Sequence, residues 1–179
     1  MSLKSSIQKT FYQQALKRKI SMHTKTSGLI NLPRASSIAL LVDISSGVDT
    51  LENKAVFEYA QSLRKLGKDV KVFAFTTEAK VPEGLDFDCF CKKDLNWALV
   101  PKGAKVDEFL SKEFDILISL YFSESQPLDF IAQAARVKLR VGYYREGGRD
   151  FYDLMVHNKS KNFEKALKQI NQALMMINA

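Results

Sequence analysis

Three short stretches of this 179-residue sequence carry side chains able to do chemistry. The first is Asp43-Ile44-Ser45-Ser46-Gly47, which follows an apolar run and precedes a helical pattern. Its hydroxyls and backbone N–H groups suit an anion at the start of a helix. A polar loop with Thr50 as helix N-cap is the plainer account. The second stretch is Ser123-Glu124, just past FDILISL (114–120). Asp43 and Glu124 make a candidate acid–base pair, and a carboxylate at a strand end equally suits bonding to loop amides. The third is Lys92-Lys93-Asp94-Leu95-Asn96-Trp97, which gathers two cations, an amide and the only tryptophan. An indole beside Lys93 and Asn96 can stack on a base or sugar while the polar groups orient it. The alternative is a Trp97 that covers the core edge, with Asp94 capping a turn. The candidate ligand contacts are therefore Asp43, Ser45, Ser46, Lys93, Asn96, Trp97, Ser123 and Glu124.

No enzyme signature is complete. There is no Gly-x-Gly-x-x-Gly, no Walker-type Gly-Lys-Ser/Thr and no Gly-x-Ser-x-Gly. The only histidines, His23 and His157, stand far from any candidate serine, so no Ser–His–Asp triad assembles. Cys89 and Cys91 are two apart in a strand-like run and face one way. They read as reduced structural thiols of a cytoplasmic protein. No catalytic residue, metal or cofactor is expected.

Elements that can position these residues follow from periodicity. Ser36–Asp43 is an apolar run suited to a parallel strand buried on both sides. Thr50–Leu66 keeps a helical period and ends at Gly67. Strands are predicted at 70–75, 87–91, 114–120, 138–143 and 152–157, and helices at 103–112, 127–136 and 162–177. Alternation of this kind predicts an α/β fold, a Rossmann-like open and mostly parallel sheet with helices on both faces. Its order should be near 3-2-1-4-5. The link from Tyr143 to Tyr152 is too short for a helical crossover, so the sixth strand is a hairpin partner or an unusual edge, and its direction stays open. All the candidates except the Trp97 stretch then fall at the carboxyl ends of the first and fourth strands, where open sheets bind ligands.

Charge divides the chain in two. Residues 1–34 hold seven basic side chains and no acidic one, while 35–179 hold twenty of each sign. The net charge of +7 thus belongs to a basic arm, predicted as a helix over 3–20 with a linker over 21–34, ahead of a Rossmann-like domain over 35–179. The acid-free, Lys- and Ser-rich start also has the composition of an organellar transit segment. The arm's stripe Leu3, Ile7, Phe11 and Ala15, with Tyr12, Leu16 and Ile20 beside it, calls for a cover. The core, a second copy of the chain, an acidic protein or a nucleic-acid phosphate backbone would serve, as would a membrane surface. No apolar run approaches the length of a transmembrane helix.

The runs ASSIALLVD (35–43), CKKDLNW (91–97), EFDILISL (113–120), VKLRVGYY (137–144) and FYDLMV (151–156) resemble those of a family of small, uncharacterised bacterial α/β proteins. That resemblance implies a fold and no activity. More distantly, FDILISL followed by KLRVGY is similar to the N-terminal half of heptosyltransferase-like glycosyltransferases, with Arg140, Gly142 and Tyr143 matching their pattern. The nucleotide-sugar half of those enzymes has no counterpart here. The function expected is a non-catalytic binding or adaptor protein using the basic arm. The alternative is a small enzyme or ligand sensor taking a phosphorylated or sugar-nucleotide compound at the strand ends.

Overall fold

The computed structural model describes residues 3–21, 29–144, 151–157 and 163–177. Helix α1 (Leu3–Ser21) precedes strand β1 (Ser37–Asp43), in which Ile38 to Val42 are all at most 1% exposed. Burial of every side chain, pointing alternately to two faces, requires cover on both, and the remaining elements supply it. They are α2 (Leu51–Lys65), β2 (Asp69–Thr76), β3 (Asp88–Cys91), α3 (Ala104–Ser111), β4 (Glu113–Leu120), α4 (Gln126–Ala134), β5 (Arg136–Tyr143), β6 (Leu154–Val156) and α5 (Phe163–Met176).

Among the described residues the sheet has six strands in the order β3-β2-β1-β4-β5-β6, and every pair is parallel. The fold is α/β and Rossmann-like, with β1 between β2 and β4 as the winding rule predicts. On one face, Leu40 and Val42 meet Val56, Ala60 and Leu63 of α2 and Ile170 and Leu174 of α5. On the other, Ala39 and Leu41 meet Phe73, Phe109 of α3 and Leu128 and Ile131 of α4.

The sixth strand, whose direction the sequence leaves open, is a parallel edge. Asp153 N donates to Arg140 O at 2.9 Å, and Asp153 Oδ2 accepts from Arg140 N at 2.7 Å. Tyr144 N donates to Val156 O at 2.9 Å, which completes a short ladder.

Helix α1 lies on the α3–α4 side of the sheet. Leu16 is buried, and Tyr12 and Ala15 are half-buried beside it. Tyr12 OH donates to Gln126 O at 2.9 Å, and Lys19 pairs with Asp107 at 3.0 Å. The inward row is therefore Tyr12–Ala15–Leu16. Ile7, Phe11 and Ile20 remain exposed, and the Leu3 side chain lies outside the described residues. Of the expected linker, residues 29–34 are described. There Leu32 is buried, its N–H donating to Leu174 O at 3.1 Å, and Asn31 Nδ2 donates to Ile177 O at 3.2 Å. Among the described residues no helix is long and apolar enough to cross a membrane.

Candidate functional site

At the carboxyl end of β1 the polar side chains are used to join loops. Asp43 Oδ1 accepts from Ser45 N at 2.9 Å, and Ser45 Oγ accepts from Thr77 N at 3.0 Å, so the loops after β1 and β2 are stitched together. Ser46 is exposed. Thr50 caps α2 by accepting from Asn53 N at 3.2 Å. Asn53, 4% exposed, turns its Nδ2 back to Gly47 O at 2.6 Å. Helical periodicity puts Asn53 on the inward row of Val56, Ala60 and Leu63 but does not reveal this clamp on the loop.

Because β1 and β4 are neighbours, the loops that follow them share one edge of the sheet. Ser123 and Glu124 are exposed there. Phe122 turns inward and stacks on Tyr143 at 4.3 Å, with Phe163 at 5.5 Å. Burial pushes the Tyr143 hydroxyl well above the usual tyrosine range, with the Tyr59 hydroxyl adding to it. Tyr143 OH is buried with no hydrogen-bond partner among the described residues. Tyr121 OH donates to Asp129 Oδ1 at 2.8 Å.

The Trp97 stretch is a tight, self-bonded loop. After β3 a single 3-10 turn spans Lys92–Asp94, with Asp94 Oδ2 accepting from Cys91 N at 2.8 Å. Asn96 Oδ1 accepts from both Ala98 N at 2.9 Å and Val100 N at 3.0 Å. That double anchor holds Leu99 at a φ of 60°, in the left-handed region non-glycine residues disfavour. Lys93 is exposed. Trp97 does not cover the core; it is 59% exposed and meets Phe11 of α1 edge to face at 4.9 Å. Gln8 Nε2 donates to Trp97 O at 3.1 Å, which fixes the pair.

Cys89 and Cys91 are both buried and unpaired. Burial pushes the Cys89 thiol up to about 12, with Cys91 contributing, which favours the thiol over the thiolate. Among the described residues no three His, Cys, Asp or Glu side chains cluster to hold a metal. A polar groove of about 350 Å³ lies away from these loops, beside the half of β2 that β3 does not reach. Asp88 there pairs with Lys71 and, at 4.0 Å, with Lys105.

The chain matches a family of unknown function (DUF6913) over residues 4–177, from α1 to α5. It belongs to that family. No curated protein matches the chain. In this DUF6913 protein the Arg140-Val141-Gly142-Tyr143 run has a structural use for each polar or small residue. Arg140 Nε and Nη2 donate to Ala132 O at 2.9 Å and Ala135 O at 2.8 Å, closing the carboxyl end of α4. Gly142 leaves space for the Tyr152 ring, and Tyr143 packs on the opposite face beside α5.

Proposed function

We propose that this DUF6913 protein is a non-catalytic adaptor that binds an acidic protein surface through α1 and the Trp97 loop. The observation that carries this reading is the Phe11–Trp97 pair. Two aromatic rings, 52% and 59% exposed, are held in contact between α1 and the loop after β3, and Lys9 and Lys17 of α1 are also exposed. A large, rigid aromatic surface is the composition of a protein–protein hot spot, and the exposed lysines of the same helix favour an acidic partner. In this reading residues 1–34 are the docking unit and 35–179 the scaffold that presents Trp97. The buried, unpaired thiols support residence in the cytoplasm.

Trp97 is the only tryptophan, so its emission reports the site directly. Titration with a peptide alternating glutamate and leucine should shift that emission to the blue. Moderate salt should weaken the binding without abolishing it, because part of the contact is apolar. Phe11→Ala or Lys9→Glu/Lys17→Glu should reduce the affinity. A response to homopolymeric RNA with steep salt dependence would replace the protein partner by nucleic acid. A shift that follows the protein's own concentration would make the partner a second copy of the chain.

The alternative, a small enzyme or ligand sensor, rests on the shared edge of the loops after β1 and β4, with Asp43, Ser45 and Ser46 facing Ser123 and Glu124 as the contacts. A thermal-shift screen with nucleotides and sugar phosphates tests it independently of Trp97.

A further inference from the structure

The glycine of β5 and the tyrosine before β6 are fitted to each other. A methyl group at Gly142 would meet Cζ, Cε1 and Cε2 of Tyr152 at 2.5, 2.6 and 2.8 Å, so the phenol end of the ring lies against bare backbone. The Tyr152 hydroxyl is 3.3 Å from that of Tyr121, which is bonded to Asp129. The β4–β5 register sets Ile118 beside Val141. The next pair along is Ser119 and Gly142, whose side-chain directions share one face. Ser119 is 1% exposed, and its Oγ is buried with no hydrogen-bond partner among the described residues. Native structures rarely leave a buried hydroxyl unpaired. One patch at the carboxyl end of the sheet thus combines a ring seat that only glycine leaves open, a ring lying on it, and a hydroxyl that the ring does not satisfy.

We propose that this patch is a binding site for a planar aromatic ring with a hydrogen-bonding substituent, and that Tyr152 is its self-supplied occupant. The ligand's ring replaces the Tyr152 phenol on Gly142; free of the backbone tether that aims Tyr152 at Tyr121, it turns its substituent to Ser119 Oγ. Tyr121, relieved of Tyr152, stays anchored by Asp129 and forms the rim. The location is the end of an open sheet where ligands bind, and none of these residues belongs to the α1–Trp97 face.

The test uses the full chain, Tyr152→Ala and Tyr152→Ala/Ser119→Ala, with p-cresol and toluene as probes. Tyr152→Ala should melt below the wild type and regain melting temperature saturably with p-cresol, and less so with toluene. Adding Ser119→Ala should remove the preference for p-cresol. In the wild type, native-state hydrogen exchange at Asp153 N–H should proceed through a local opening, well before the amide of Leu40, and p-cresol should speed it by capturing the opened state. Exchange of Asp153 only on global unfolding, or equal rescue by p-cresol and toluene, would overturn the proposal. Should Tyr152→Ala fail to fold, the exchange measurement on the wild type decides alone.

Discussion

Gly142 shows how a single missing side chain organises its surroundings. The Tyr152 ring occupies the volume where any other residue would carry its Cβ. Gly142→Ala should therefore push the ring outward and cost about 1–3 kcal/mol, the usual range for overpacking a filled site. Urea denaturation measures it, and a variant as stable as the wild type would mean that the ring has room to move. In the sequence Gly142 stands out for a different reason, its place in a glycosyltransferase-like pattern. Periodicity does not say which ring will lie on a strand glycine, because it marks each element without matching a residue of one to a residue of the next. Trp97 is a similar case. Its isolation among polar residues marked it out, but its partner Phe11 lies 86 positions earlier, beyond the reach of local spacing.

At the scale of elements, the strands and long helices were readable because burial on both faces leaves an unbroken apolar run and an amphipathic helix leaves a period. Thr50 capping α2 was readable on the same terms, since an N-cap is a local feature. The face that α1 turns inward was not. Its apolar residues are spread round the helix, and the row that docks is chosen by the Tyr12 hydroxyl and Lys19 finding partners on other elements. Asp115 also acts between elements, at the opposite end of the sheet from the candidate site. It accepts from Ser36 N at 2.7 Å, Ser37 N at 3.1 Å and Lys138 Nζ at 2.7 Å, tying β1, β4 and β5 together. Partial burial raises its carboxyl pKa, but the Lys138 ammonium and the two N–H groups outweigh this and hold it below the usual aspartate value. A depressed folded value stabilises the fold above the unfolded pKa of about 3.9, and that contribution fades as pH falls through the folded value. Asp115→Asn should accordingly lower stability at neutral pH and flatten its decline below about pH 4. Parallel stability curves for the two proteins would remove Asp115 from the acid response.

For the molecule as a whole, β1 is the axis on which both cores depend. Leu41, fully buried, touches the α3–α4 face, and Leu41→Ala should cost roughly 2–5 kcal/mol in equilibrium denaturation. A smaller loss would mean that the aromatic layer around Phe73 relaxes into the space. Central placement of β1 also has a consequence for how the chain is made. Its first neighbour, β2, is complete by Thr76, but its second, β4, ends only at Leu120. At about 5–20 residues per second, a ribosome takes roughly 2–9 s to supply the strand that closes the other side of β1. Helix α1 waits longer still, because Trp97, Gln126 and Phe130 all follow their α1 partners by more than eighty residues. A nascent α1 with a clean apolar stripe would spend that interval as a target for aggregation. Spreading its apolar residues and setting basic ones among them keeps the emerging helix in water until its seat exists.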